Sequence, residues 1–366
     1  MRASLSTLPT ELIVQIISYI QHQAHLFNLA LVSQRLHALT TPHLYRNICL
    51  KSEYTGGSIQ HLLPFTFLIL QKPGIASLVQ SFTLDYKDEA ADQAVPCSWP
   101  AGSGEVHNLL KPVIEAAAHS SEEESELFDL ILHERIKDMA VLALLLPALS
   151  KLRRLHMAIN FADDDEYLSP LFQRVATRQK QFDTHPVFTE LTDIKIEHQH
   201  EHYDHKCPET FLACCMLPAV ERICGRRMGI DLRVLLRPLM IQLRDTSLHI
   251  NYIELRARTI GSTAISQVLI TNKRHDSVVC TVDDDLLPAD TEAIRDALMP
   301  HEEWLEELCP DHREYSSSNF RLSFYTLSTF QATLSCLVLE VIILVARESQ
   351  IEVDSEGHIR SSHIDG

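Results

Sequence analysis

The chain has 366 residues, 49 Asp and Glu against 32 Lys and Arg, a formal net charge of −17 and a pI near 5.6. This balance excludes a protein that grips nucleic acid through a broad basic face, because phosphates demand clustered Lys and Arg. A hydrophobic content of 45% suffices for a core, and the length fits a small module followed by one elongated unit.

Leu8-Pro9-Thr10-Glu11-Leu12 opens the first recognisable element. Pro9 suits the first turn of a helix, where a missing N–H costs nothing, and Glu11 suits the positive end of the helix dipole. Leu12, Ile13, Ile16, Ile17 and Ile20 recur at helical spacing and predict an oily stripe. His22 and Gln23 break it. Leu26, Leu29, Val32, Ser33 and Leu36 then lie three or four apart, predicting one face of a second helix. Thr40-Thr41-Pro42 predicts a stop, with His43-Leu44-Tyr45 beginning a last short helical turn.

Leu-Pro-x-Glu-Leu, the Ile-rich helix, Leu-Ala-Leu-Val-Ser and the closing Pro-His-Leu-Tyr fall in the order and spacing of an F-box. Over roughly its first 48 residues the chain resembles that family, and the Pro-x-Leu-Tyr ending is most similar to its fungal branch. The tryptophan that many F-boxes carry late in the motif is absent, with Leu44 or Tyr45 at its place. The resemblance implies a three-helix module that docks on the Skp-type adaptor of a Skp–cullin–F-box ubiquitin ligase and, through it, on a cullin. Carried over position by position, it assigns adaptor binding to Leu8, Pro9, Leu12, Ile16, Leu29, Val32, Ser33 and Leu36. The residues alone point the same way. So short a segment with two oily stripes cannot bury both within itself. Packing of these helices on the rest of the chain is the alternative.

Residues 49–61 read as a polar linker, with Gly56-Gly57 inside it. Leu62 to Leu70 predicts a helix, Pro73-Gly74 a turn, and Leu78 to Leu84 a strand. From about residue 87 to 126, Ala, Ser, Gly, Pro and acidic residues predict a flexible acidic insertion, interrupted by a helix at Leu109 to Ala118. Beyond it a loose repetition begins. Ala140 to Leu146 is helical and closed by Pro147, after which Leu149, Leu152, Leu155 and Met157 turn into a strand. Leu191 to Ile196, Phe211 to Leu217, Val220 to Ile223 and Asn251 to Leu255 continue the pattern, as do Ile294 to Leu298, Trp304 to Leu308 and Leu334 to Leu339. Helix, Pro-marked turn and L-x-x-L-x-L strand are what leucine-rich repeats show, although the spacing is irregular and no Asn or Cys ladder is present. The expected fold is therefore α/β: a three-helix F-box over 1–48, then an irregular leucine-rich-repeat-like α/β solenoid over 62–350. A compact mixed domain without a repeat axis is the alternative. Residues 351–366 read as a disordered tail.

Chemistry is sparse. His198, His200, His202, His205 and Cys207 are ligand types that zinc or copper accepts, but no second pair closes a tetrahedron, and a solvent loop is the expected reading. Cys224 beside Arg226-Arg227 has no His partner that could be named, so a buried structural thiol is expected. Neither a nucleophile elbow nor a phosphate-binding loop is present, and neither an enzyme nor a cofactor is expected. Phe330 to Ala346 is apolar but interrupted by Glu340, which favours a buried element over a membrane span. Nine scattered cysteines and the polar Met1 to Thr7, which lacks a secretory pattern, predict a reducing compartment, cytoplasm or nucleus. The expected function is a substrate-recognition subunit of the ligase, binding an unidentified protein substrate through its body. A scaffold that binds the adaptor without acting in ubiquitination is the alternative.

Overall fold

The computed structural model describes residues 8–51, 61–85, 103–118, 120–132, 138–159, 165–179, 182–198, 209–226, 229–230, 250–257, 259–260, 277–282, 307–311, 352–353 and 359–360. They fall into two compact units, Met1–Glu314 and Tyr315–Gly366.

The first unit starts with α1 (Thr10–Ser18), α2 (Gln23–Ala30) and α3 (Gln34–Arg46). Pro9 stands just outside α1, its carbonyl accepting from the Ile13 amide at 3.2 Å. Ile13, Ile17, Leu26 and Leu36 form the core of the bundle, with Leu8, Ile20, Leu29, Leu39 and Leu44 packed around it. Two expectations are corrected here. The second oily stripe belongs to two helices, because the chain leaves α2 after Ala30 and restarts at Ser33, whose hydroxyl accepts from the Leu36 amide at 3.2 Å. Ser33 is thus an N-cap, satisfying one of the amides a helix start leaves bare. Nor does Pro42 stop the chain: α3 runs through it to Arg46. Pro42 forgoes one intrahelical hydrogen bond near the end of α3, and the helix passes directly into the strand that follows.

That strand, β1 (Asn47–Lys51), begins at the next residue. The boundary expected at residue 48 therefore lies inside a strand. The Arg46 carbonyl accepts from the Gln80 amide at 2.9 Å, and the Arg46 Nε donates to Gln80 Oε1 at 2.9 Å. The bundle is tied to the sheet by backbone and side chain together.

The sheet adds β2 (Ser81–Asp85), β3 (Arg154–Ile159), β4 (Asp193–His198) and β5 (Arg222–Arg226). After β6 (Gly229–Ile230) come β7 (Tyr252–Ala257), β8 (Thr259–Ile260), β9 (Ser277–Val282) and β10 (Glu307–Asp311). Eight strands pair in the order β1-β2-β3-β4-β5-β7-β9-β10, every pairing parallel, while β6 and β8 form a separate parallel pair. Strand order equals chain order throughout the larger sheet. In the second unit, β11 (Glu352–Val353) and β12 (Ile359–Arg360) pair antiparallel where composition predicts a disordered tail.

Register explains the order. Ser81, Arg154, Asp193, Arg222 and Tyr252 lie in one cross-strand row, so each strand starts level with its neighbour. Two residues earlier, Val79, Leu152, Leu191, Val220 and Ile250 are all buried. The next inward row is Phe82, Leu155, Ile194, Ile223 and Ile253, also buried, and Leu84, Met157 and Ile196 follow. Each unit thus spells apolar-x-x-apolar-x-apolar, and parallel pairing stacks equal positions on one another. The backbone repeats the same step at the strand entrances. The Gln80 carbonyl accepts from the amides of Arg153 and Arg154, Arg153 from Thr192 and Asp193, Thr192 from Glu221 and Arg222, and Glu221 from Asn251 and Tyr252.

Helices cover the inward face. Between the strands come α4 (Leu62–Gln71), α5 (Pro73–Ala76), α6 (Ser103–Ala117), α7 (Ser121–Leu132), α8 (Asp138–Ala148), α9 (Asp165–Ala176) and α10 (Glu209–Cys215). α4 packs on α8, α8 on α9, and α9 on α10, in the same sequence as the strands they precede. α8 is apolar all round and buried from Asp138 to Leu146, as a helix without a polar face must be. Of the acidic stretch expected over 87–126, residues 87–102 lie outside the described residues. Beyond them the chain is more helical than expected: the helix placed at Leu109 to Ala118 falls in α6, and α7 follows from Ser121. The two bury Val106, Leu110, Ile114, Leu127 and Ile131, while Glu123 pairs with Arg174 at 3.2 Å. After α9, Phe188 takes a left-handed backbone (φ 56°) that costs about 1–2 kcal/mol, offset by burial of its ring at 5.6 Å from Phe172.

Phe82 is fully buried and stacks on Phe65 of α4 at 6.1 Å. Phe82→Ala is expected to lower unfolding free energy by about 3–5 kcal/mol, read from the denaturant midpoint. Ser33→Ala, which removes only the cap, should cost about 1 kcal/mol.

Candidate functional site

Two surfaces carry features that folding alone does not require. The first lies on the N-terminal bundle. Leu12, Ile16, Tyr19, Phe27, Leu31 and Val32 are between 43% and 76% exposed. Among the described residues the exposed large hydrophobics all fall between positions 12 and 32. Helical geometry separates them from the core: Ile13 and Ile17 point inward, while Leu12, Ile16 and Tyr19, spaced four and three apart, share another face. Phe27 and Leu31 repeat the arrangement one turn apart around the end of α2, and Val32 adjoins them.

Of the residues assigned from the resemblance, Leu12, Ile16 and Val32 lie in this exposed set. Pro9 is exposed and Leu8 half-buried at the start of α1. Leu29 is packed against the bundle core, and Leu36 is inside it, so its side chain is withdrawn from the surface. Ser33 is exposed, with its hydroxyl engaged in the cap. Tyr19, Phe27 and Leu31 were missed. Their signal was present, since an amphipathic helix has room for only one buried stripe and these apolar residues fall off it. The bundle is braced by Arg35, whose Nη2 donates to the Leu8 carbonyl and to Thr10 Oγ1, both at 3.0 Å.

The second surface is the outward face of the sheet. A parallel sheet is ordinarily covered on both faces. Here the described helices pack along the inward face, and polar side chains line the other. A groove of about 320 Å³ is bounded by Ser81, Arg154, His156, Asp193, Lys195, Arg222, Cys224, Arg226, Tyr252 and Glu254, and Leu155, Ile194 and Ile223 also line it. Arg222 Nε lies 3.3 Å from Asp193 Oδ1, and its guanidinium carbon sits 4.6 Å over the Tyr252 ring. Lys195 Nζ lies 2.8 Å from Glu197 Oε2. Glu254, buried at the far end, accepts from Arg226 Nη2 at 2.9 Å and from the Tyr252 hydroxyl at 3.0 Å.

This cluster settles the chemistry of Cys224. Burial first, and then the Glu254 carboxylate, push its thiol up to about 11 against the pull of Arg226. A thiol so protonated near neutral pH is a poor nucleophile. Burial and the same carboxylate push the Tyr252 phenol up to about 12. Cys215, fully buried, is likewise raised to about 12.

His198 ends β4, and the remainder of the His-rich segment, residues 199–208, lies outside the described residues, as does Phe330 to Ala346. Among the described residues no cluster of His, Cys, Asp and Glu could hold a metal ion, and no helix is long and apolar enough to cross a membrane.

Comparison with known families agrees with the first surface. Residues 5–51 match the F-box-like family, so the chain carries an F-box-like domain formed by α1, α2, α3 and β1. No curated protein matches the chain. F-box domains bind Skp1-type adaptors, and proteins that carry them are generally non-catalytic substrate adaptors; the domain therefore indicates an adaptor-binding role in an SCF-type ubiquitin ligase.

Glu254→Gln removes the negative charge that opposes ionisation of both neighbours. Spectrophotometric titration should show the Tyr252 phenol and the Cys224 thiol each moving down toward its ordinary value. Thiolate-dependent labelling of Cys224 should consequently begin at lower pH than in the parent protein.

Proposed function

We propose that this chain is the substrate-recognition subunit of a Skp–cullin–F-box ubiquitin ligase. The observation that carries the reading is that, among the described residues, the exposed large apolar side chains are confined to the F-box-like domain. Each such side chain, once covered, contributes roughly 1.5–3 kcal/mol, so a partner seated on Leu12, Ile16, Phe27, Leu31 and Val32 gains a large driving force. The Skp-type adaptor is the partner that the domain match supports, and a cullin joins through it. Leu8, Pro9, Leu29, Ser33 and Leu36 support the site in different ways: the first two at its rim, the last three by setting the turn between α2 and α3.

The body after the F-box is proposed to be an irregular leucine-rich-repeat-like solenoid. Supporting it are the stacked apolar-x-x-apolar-x-apolar units, the identity of strand order and chain order, and the single layer of described helices. From β4 onward the strands begin at residues 193, 222, 252, 277 and 307, a recurrence of roughly 25–30 residues against the 20–29 of regular leucine-rich repeats. The longest step, from β2 to β3, holds α6 and α7 in addition to the layer helix α8. The open face would then hold a protein substrate, and the chemistry of ubiquitin transfer would be supplied by the other subunits. The chain contributes effective concentration and orientation. A fungal origin and a cytoplasmic or nuclear setting are parts of the same reading.

The test is co-expression with a Skp-type adaptor followed by size-exclusion chromatography. A stable one-to-one complex is expected. Leu12→Asp with Ile16→Asp should abolish it without changing the melting temperature, because both residues are exposed in the free chain. Retained capture at unchanged affinity would overturn the assignment. Leu36→Ala, by contrast, should destabilise the bundle itself by about 2–5 kcal/mol.

A further inference from the structure

The outward face of the sheet carries a charge pattern that points to a class of occupant. In the first cross-strand row the order is Ser81, Arg154, Asp193, Arg222, Tyr252. Two guanidinium groups thus flank one carboxylate. Asp193 is engaged by Arg222 through Nε at 3.3 Å, which leaves the outer guanidinium edge of Arg222, 58% exposed, above the Tyr252 ring. Arg154 is exposed, and its Nη2 makes only a long 3.4 Å contact to the neutral amide oxygen of Asn47 among the described residues. No carboxylate among the described residues lies within ion-pair distance of Arg154. One row further in, His156 Nε2 is buried and without a hydrogen bond, its nearest carboxylate oxygen, on Glu197, standing off at 3.7 Å.

Around this groove four cations (Arg154, Lys195, Arg222 and Arg226) thus meet three carboxylates (Asp193, Glu197 and Glu254). The groove is therefore slightly positive in a chain of net charge −17. In so acidic a protein, an excess of exposed guanidinium on the open side of a groove is a local exception. It complements negative charge and is otherwise solvated at no gain to folding.

Resting on the substrate-recognition reading above, we propose that this groove takes an extended acidic segment of a protein substrate, laid across the strands, with carboxylates on Arg154 and Arg222. Spacing sets the register of that segment. Arg154 and Arg222 are two strands apart, about 9.5 Å at the usual interstrand distance, and an extended chain advances about 3.3 Å per residue. Side chains alternate along an extended chain, so two that face the sheet together stand an even number of residues apart; Glu-x-Glu, about 6.6 Å, is within reach of two flexible guanidinium groups at that separation. Planar guanidinium forks suit carboxylates at both positions.

The test uses the full chain in complex with its adaptor and fluorescein-labelled peptides of a Gly-Ser-Thr background. One peptide carries Glu-x-Glu, a second carries Gln-x-Gln, and a third carries adjacent Glu-Glu, whose two side chains point to opposite sides. Anisotropy should show the first binding at least about tenfold tighter than either of the others, with affinity falling as salt is raised. Arg154→Gln and Arg222→Gln should each weaken it about fivefold or more, while Arg153→Gln, whose partner Glu190 lies outside the groove, should not. Equal binding of the three peptides, no binding of any, or indifference to the Arg154 and Arg222 variants would overturn the inference. Adaptor capture by the same variants reports separately. Its loss in the parent chain would remove the ligase reading, whereas its retention with no peptide selectivity would remove only the acidic substrate.

Discussion

Everything in the main unit depends on the parallel pairing of strands that start level with one another. A parallel ladder joins equal positions of successive segments, so a buried residue in one strand demands a buried residue beside it in the next. Val79, Leu152, Leu191, Val220 and Ile250 meet that demand at one position, and Phe82, Leu155, Ile194, Ile223 and Ile253 at another. A slip of one residue in any strand would turn its apolar set outward and its charges into the helical layer. The carbonyls of Gln80, Arg153, Thr192 and Glu221, each holding two amides of the following strand, fix the start of every step.

The same constraint creates the polar face. Side chains alternate across a strand, so the residues between the buried positions are forced outward into common rows. Arg154, Asp193, Arg222 and Tyr252 are far apart in sequence and adjacent in space for this reason alone. Ion pairs such as Arg222–Asp193, exposed on both sides, are consequences of that row structure and contribute little to stability. Their value lies in the shape and charge that they present.

The F-box-like domain obeys a different logic. Its three helices bury Ile13, Ile17, Leu26 and Leu36 and leave Leu12, Ile16, Tyr19, Phe27, Leu31 and Val32 in water. A bundle this small cannot enclose all its aliphatic groups, and those left over gather on one stretch of surface. Because α3 passes without a break into β1, and Arg46 grips Gln80, the bundle is joined to the sheet by continuous secondary structure.

The F-box-like domain was legible in the sequence because its signal is local: Leu8 to Leu12, the Ile-rich helix and Ser33 carry it within a few turns. The strands at Leu155, Ile194 and Ile223 were legible for the same reason, each being an apolar-x-x-apolar-x-apolar run. Three matters were decided by tertiary structure. Pro42 lies inside α3 at the cost of one hydrogen bond, in a helix that runs directly into the strand paired with β2. The acidic segment holds α6 and α7 because Leu110, Ile114, Leu127 and Ile131 find a surface to cover, which composition averages away. The rows of the open face exist only once register is set, and register is a relation between segments that no single segment contains. Local periodicity thus determined which residues turn inward, while pairing between distant strands decided which of the others stand side by side.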